Sequence, residues 1–160
     1  MKQSFRPSVV SRTFPARFDS LAAICDFVTQ RAQVAGLGPR AVYAVQVAVD
    51  EACSNIIEHA YGGQERGTIE CTCSTKHDRL IIQLHDHGRP FDLDTVPKPD
   101  LQADLHERHA GGLGVFFIQQ LMDAVQFESI PGKGNTLTLT KCRTSPSSPP
   151  SSPRSKPGCP

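Results

Sequence analysis

Tryptophan is absent from these 160 residues, methionine and tyrosine occur twice each, and aromatic residues make up only 6% of the chain. A core without many large rings must rest on aliphatic side chains and alanine. Net charge is scarce as well: 17 Lys and Arg stand against 16 Asp and Glu, a formal +1. That balance gives no electrostatic footprint for nucleic acid or for an anionic membrane surface. No apolar run approaches the roughly 20 residues of a membrane span, and the N-terminal stretch lacks the apolar centre of a signal peptide. The expected location is therefore cytoplasmic, with neither nucleic acid nor membrane among the partners. In that compartment the six cysteines (25, 53, 71, 73, 142 and 159) are expected as reduced thiols, three or four of them small core residues.

Proline and serine, by contrast, are crowded at one end. The 19 residues after Lys141, "CRTSPSSPPSSPRSKPGCP", hold six prolines and six serines. With nothing to bury, such a segment cannot offset its own ordering entropy. Residues 142–160 are thus expected as a disordered tail behind one domain over 8–141, a length that suits a single core.

Within that domain the elements alternate. "SVVSRTF" has the composition of an edge strand. Leu21, Ile24, Val28 and Ala32 follow a 3.6-residue period behind Asp19, predicting a helix that Gly36 ends. Pro39 suits the first turn of a second helix, whose core stripe is Val42, Val45, Val49, Ala52, Ile56 and Ala60. "GTIECTCS" and "RLIIQLHD" form a hairpin around His77 and Asp78. Residues 93–110 form a charged connection, "GGLGVFFIQQLMDAV" a third helix, and "VQFESI-PGKGN-TLTLTK" a second hairpin. This order predicts an α+β, two-layer sandwich: a mixed, mainly antiparallel sheet covered on one face by helices.

Three constellations carry chemistry. In "VDEACSNIIEHAYGG", Glu51, Asn55 and His59 fall at i, i+4 and i+8, along one helix face beside the apolar stripe. A single Glu or His there is usually a solvated edge, but Asn is a poor helix former and gains nothing without a partner. A carboxylate can serve as a general base, and an amide oxygen suits Mg²⁺. In "LIIQLHDHGRPFD", alternation places Asp86 on the face of Leu80, Ile82 and Leu84, where a carboxylate is costly unless hydrogen-bonded. It is either a turn former before Gly88 or an acceptor for a ligand amine, with Gly88 and Pro90 shaping a tight turn against that ligand. In "HAGGLGVFFI", glycines open a helix whose first N–H groups can meet phosphate oxygens.

Other motifs fail on context. The glycines do not follow a strand, as dinucleotide-binding glycines do, and "GKGNT" leads into a strand rather than a phosphate-cradling helix. "CTC" and "HDH" lie on paired strands. A two- or four-residue turn puts Cys71 and Cys73 opposite Leu84 and Ile82 and the histidines on the other face, while a three-residue turn reverses this. Cys-x-Cys is also not a usual zinc spacing.

Taken in order, "EACSNIIEHAY", "DHGRPFD", "GGLG" and "GNTLTL" resemble the conserved boxes of the GHKL (Bergerat-fold) ATPase superfamily, over roughly residues 8–141. Within it they resemble the RsbW-type anti-sigma-factor serine/threonine-protein kinases. The resemblance implies ATP and Mg²⁺ as cofactors, Glu51 as the base toward a serine hydroxyl, and Asn55 as the Mg²⁺ ligand. It implies Asp86 as the reader of the adenine amine, with Gly88 beside it, Gly112 and Gly114 near the phosphates, and Thr136 at the adenine end. His59, Pro90, Arg108, Gly111 and Leu113 join this ATP-binding set, and residues 93–110 become a lid. Arg108 stands a residue or two further from the glycines than the family pattern places its arginine. The implied function is partner switching: a kinase that phosphorylates a STAS-domain anti-anti-sigma protein on serine and sequesters a sigma factor or other client. A homodimer is implied as well. A nucleotide-gated binding module with little kinase activity is the alternative. The catalytic domain of a two-component histidine kinase would need a phospho-accepting helical hairpin, which the residues before Asp19 cannot supply.

Overall fold

A computed structural model describes residues 7–90 and 110–143 of the chain, with side chains described from Val115 onward in the second stretch. The expected lid, up to residue 109, and the expected tail from residue 144 lie outside the described residues, as does Arg108.

Five strands form one sheet: β1 (Ser8–Pro15), β2 (Thr68–Lys76), β3 (Arg79–Asp86), β4 (Ala124–Ile130) and β5 (Gly134–Cys142). Their spatial order is β1-β2-β3-β5-β4. Every pairing is antiparallel, so the sandwich expected from the sequence has no parallel component among the described residues. β5 includes Cys142, one residue past the expected domain boundary, and the Arg143 N–H donates to the Asp78 carbonyl (2.8 Å). Three helices, α1 (Leu21–Val34), α2 (Pro39–Asn55) and α3 (Ala110–Leu121), pack on the sheet, with α2 against both of its neighbours. Ala41, Ala44, Ala48 and Ala52 are all buried, and such small side chains let flanking helices approach α2 closely.

The core is aliphatic, as the scarcity of rings requires. Ile24, Val28, Val45 and Val49 from the helices meet Ile69, Leu80, Ile82, Leu84 and Leu139 from the sheet, all fully buried. Burying each such side chain contributes about 1.5–3 kcal/mol, so this layer dominates the favourable terms. The β2–β3 turn has two residues, since Lys76 pairs with Arg79; Cys71 therefore faces Leu84, and Cys73 faces Ile82. Both thiols are buried with Cys53, and these three, with Cys25, are free. Cys142 is disulfide-bonded and so departs from the expectation of six reduced thiols. His85 lies on the opposite sheet face, away from both thiols, where it meets Thr136 (2.9 Å). Among the described residues no helix is long and apolar enough to cross a membrane.

Candidate functional site

The helix that carries Glu51 and Asn55 runs with its apolar stripe against the sheet, and these two residues sit at the margin of that stripe. Asn55 is only 8% exposed, yet among the described residues its Nδ2 has no hydrogen-bond partner. An unmade bond at a buried polar group costs about 1–3 kcal/mol, so its retention points to a ligand. Glu51, one turn earlier, is half-buried. Burial pushes its carboxyl above the ordinary range, and the neighbouring charges of Asp50 and Glu58 add to the shift.

Beyond Asn55 the helix widens into a single π turn, Ile56–Ala60. The wider turn breaks the 3.6-residue period. Ile56, Ile57 and Ala60 are buried, whereas Glu58 and His59 are exposed, with His59 Nε2 3.9 Å from the Glu58 carboxylate. The i, i+4, i+8 alignment read from sequence therefore holds for Glu51 and Asn55 but not for His59.

The second wall comes from the end of β3. Asp86 is 3% exposed, as its place in line with Leu80, Ile82 and Leu84 requires. Its Oδ1 accepts the Gly88 N–H (2.8 Å) and Nδ2 of Asn135 (2.9 Å). The chain then turns against α2: the Arg89 N–H donates to the Ala60 carbonyl at 2.7 Å. A Cβ at Gly88 would meet the backbone of Ala60 at 2.5 Å. The glycine is thus required by the close approach of the π turn, a protein neighbour, whereas the sequence suggested a ligand. Pro90, which follows, is exposed.

These walls border an open cleft lined by Asn55, Asp86 and Asn135 among Ala52, Ile56, Ile118, Phe127 and Leu137. Three polar side chains on an otherwise apolar wall suit a flat heteroaromatic ring with a donor at its edge. α3 contributes Ile118 and opens on Gly111, Gly112, Leu113 and Gly114, whose backbone is helical from Ala110 onward. Thr136 does not face the cleft. Its register partner is His85, on the far face of the sheet, and Asn135, the partner of Asp86, takes the inner position.

Two contributors escaped the sequence reading. Asn135 could have been found by parity, since it leads the buried series Leu137 and Leu139. Tyr61 is a strut: its hydroxyl donates to the Thr68 carbonyl (2.7 Å) and accepts the His87 N–H (3.0 Å), tying the end of α2 to two strands. Gly67 leaves room for its ring.

Comparison with known proteins meets this geometry. The family described as histidine kinase-like ATPase domain matches residues 14–141. A serine-protein kinase RsbW from Halalkalibacterium halodurans is 30% identical over 146 residues, spanning 85% of this chain and 84% of the relative. The RsbW of Listeria monocytogenes is 35% identical over 111 residues, 67% of this chain and 69% of its own. Among solved structures, the RsbU and RsbW domains of Rv1364c from Mycobacterium tuberculosis superpose with a TM-score of 0.58 at 15% identity. That match covers 85% of this chain and 32% of the longer solved one, and at such identity it speaks for the fold alone.

Proposed function

The chain belongs to the histidine kinase-like ATPase domain family, on its RsbW-like side, and on that premise we propose that it is an ATP-dependent protein serine kinase that also acts by holding its partners. The observation that carries this reading is the convergence of Asp86 and the unpartnered Asn55 amide on one apolar cleft, with Glu51 a helical turn away.

Asp86 accepts a hydrogen bond from the exocyclic amine of adenine, and the aliphatic walls of the cleft hold the ring. Asn55 fits a Mg²⁺–nucleotide pair: its oxygen is a hard ligand, and its orphaned Nδ2 donates to a phosphate oxygen. When bound, Mg²⁺ neutralises charge on the phosphate oxygens. The glycine-rich start of α3 offers backbone N–H groups to the same phosphates. Glu51 takes the proton of the attacking serine hydroxyl, and its upward-shifted pKa makes it a stronger base than an ordinary carboxylate. The serine oxygen bonds to the γ-phosphorus as the bond to the β–γ bridging oxygen breaks, and ADP leaves.

The substrate is a serine of a STAS-domain antagonist, and the client held in the other nucleotide state is a sigma factor or another regulatory protein. The working form is a cytoplasmic homodimer. The test is transfer of labelled γ-phosphate from ATP to a STAS-domain antagonist. Asn55→Ala should lose Mg²⁺–ATP binding, while Glu51→Gln should retain binding and lose transfer. ATP binding without transfer by the unaltered chain would replace the kinase by a nucleotide-gated binding module. No ATP binding at all would sink both readings.

A further inference from the structure

Asn135 is 2% exposed, lines the cleft, and has no part in the chemistry above. Its Nδ2 serves three acceptors at once: Asp86 Oδ1 at 2.9 Å, the Gly88 carbonyl at 3.0 Å and the Arg89 carbonyl at 3.2 Å. The Gly88 N–H reaches the same carboxylate oxygen, so both donors on Asp86 fall on Oδ1. Among the described residues no donor reaches Oδ2. The amide therefore clamps the carboxylate and the turn after β3 into one rigid unit.

We infer that Asn135 is the positioning residue that makes this cleft read a purine amine: by holding Oδ1 it leaves Asp86 one acceptor, Oδ2, for the base, and so sets a 6-amino purine over a 6-keto purine. This rests on the nucleotide reading of the site. A carboxylate clamped in this way cannot turn. A 6-keto oxygen placed against Oδ2 would set acceptor against acceptor, with both desolvated and unpaired, which is the strongest form of polar discrimination. Without the clamp the carboxyl group can rotate, Oδ2 no longer stays aimed at the amine, and the preference for the amino purine narrows.

The experiment compares the affinity of the full chain for ATP and for inosine triphosphate, which carries a carbonyl in place of the amine. Asn135→Ala should weaken ATP about tenfold, the size of one hydrogen bond to a charged group, with inosine triphosphate nearly unchanged. The selectivity ratio should fall by the same factor. Asn135→Leu, which keeps the bulk and matches the inner residues Leu137 and Leu139 of β5, repeats the test should the alanine variant not fold. A residue that served only the fold would weaken both nucleotides equally, and an unchanged ratio in a folded variant would overturn the inference. A parent chain that binds neither nucleotide would sink the nucleotide reading and this inference with it. A parent that prefers ATP, with the ratio intact in the variants, would sink this inference alone.

Discussion

Replacing Asn55 by leucine should separate stability from function, because the two respond with opposite sign. Asn55 is 8% exposed, and among the described residues its Nδ2 donates to nothing. Removing that unmade donor recovers about 1–3 kcal/mol. Leucine has nearly the same reach, and its neighbours Ala52, Ile56, Ile118 and Leu137 are apolar. Misfit in a near-isosteric swap costs up to about 1.5 kcal/mol. The variant should therefore lie between about 0.5 kcal/mol less stable and about 3 kcal/mol more stable than its parent, the extremes of the difference between those two terms. At about 2–4 °C per kcal/mol for a chain of this size, Tm rises by as much as about 12 °C. Mg²⁺–ATP should act on the parent alone: at a hundredfold excess over Kd it adds about 2.7 kcal/mol to the parent and nothing to the variant. Differential scanning calorimetry with and without Mg²⁺–ATP reads both effects. A variant destabilised by more than about 1 kcal/mol, or one that keeps the nucleotide-dependent rise, would refute the assignment of that orphaned amide to a ligand.

Other perturbations test the frame around the cleft. Gly88→Ala drives a Cβ into the Ala60 backbone and strains the Arg89–Ala60 hydrogen bond, so a loss of about 2–4 kcal/mol is expected in urea unfolding, together with weaker ATP binding; parental stability would mean that the π turn is not packed on this glycine. Glu51→Gln should stabilise the chain at neutral pH. The raised pKa means that folding disfavours the ionised carboxylate, so the parent loses stability as pH rises through the window from the ordinary Glu value to the raised one. The advantage of glutamine should vanish below about pH 4, and a urea midpoint difference independent of pH would contradict the shift. Tyr61→Phe removes the strut between Thr68 and His87, which should cost about 1 kcal/mol and speed hydrogen exchange at the His87 amide. Truncation after Arg143 should leave ATP affinity unchanged, and it keeps the buried Cys142 in β5, which a cut after Lys141 removes.

How far the sequence reached can be followed residue by residue. Helix and strand positions were legible because the apolar spacing is regular: Leu80, Ile82 and Leu84 alternate, and Asp86 followed them inward by parity. The two-residue hairpin was one of the turn lengths left open, and only the register of Lys76 with Arg79 decided which face the cysteines took. The strand order, with β5 between β3 and β4, is a tertiary choice that no local pattern encodes. His59 fell out of line because a π turn leaves no residue signature and breaks the period on which the inference stood. Thr136 and Asn135 differ by a single position, and in a strand one position is a change of face. The resemblance drew attention to the threonine of "GNTLTL", while the alternation of Leu137 and Leu139 marked the asparagine.

The polar residues that survive this sorting share a physical property that distinguishes them from core residues. Asn55 has an unmade bond, Glu51 an ionised state disfavoured by its surroundings, and Asp86 a carboxylate held inside an apolar layer by the clamp of Gly88 and Asn135. Buried aliphatic residues such as Ile82 or Val49 lower stability when they are cut back. For Asn55 and Glu51, near-isosteric neutral replacements should raise stability and abolish function, whereas Asn135, whose bonds are made, should lower both. That split in sign divides the residues kept for the ligand from the residue kept to hold the ligand's reader in place, and stability measurements alone can draw it before any substrate is known.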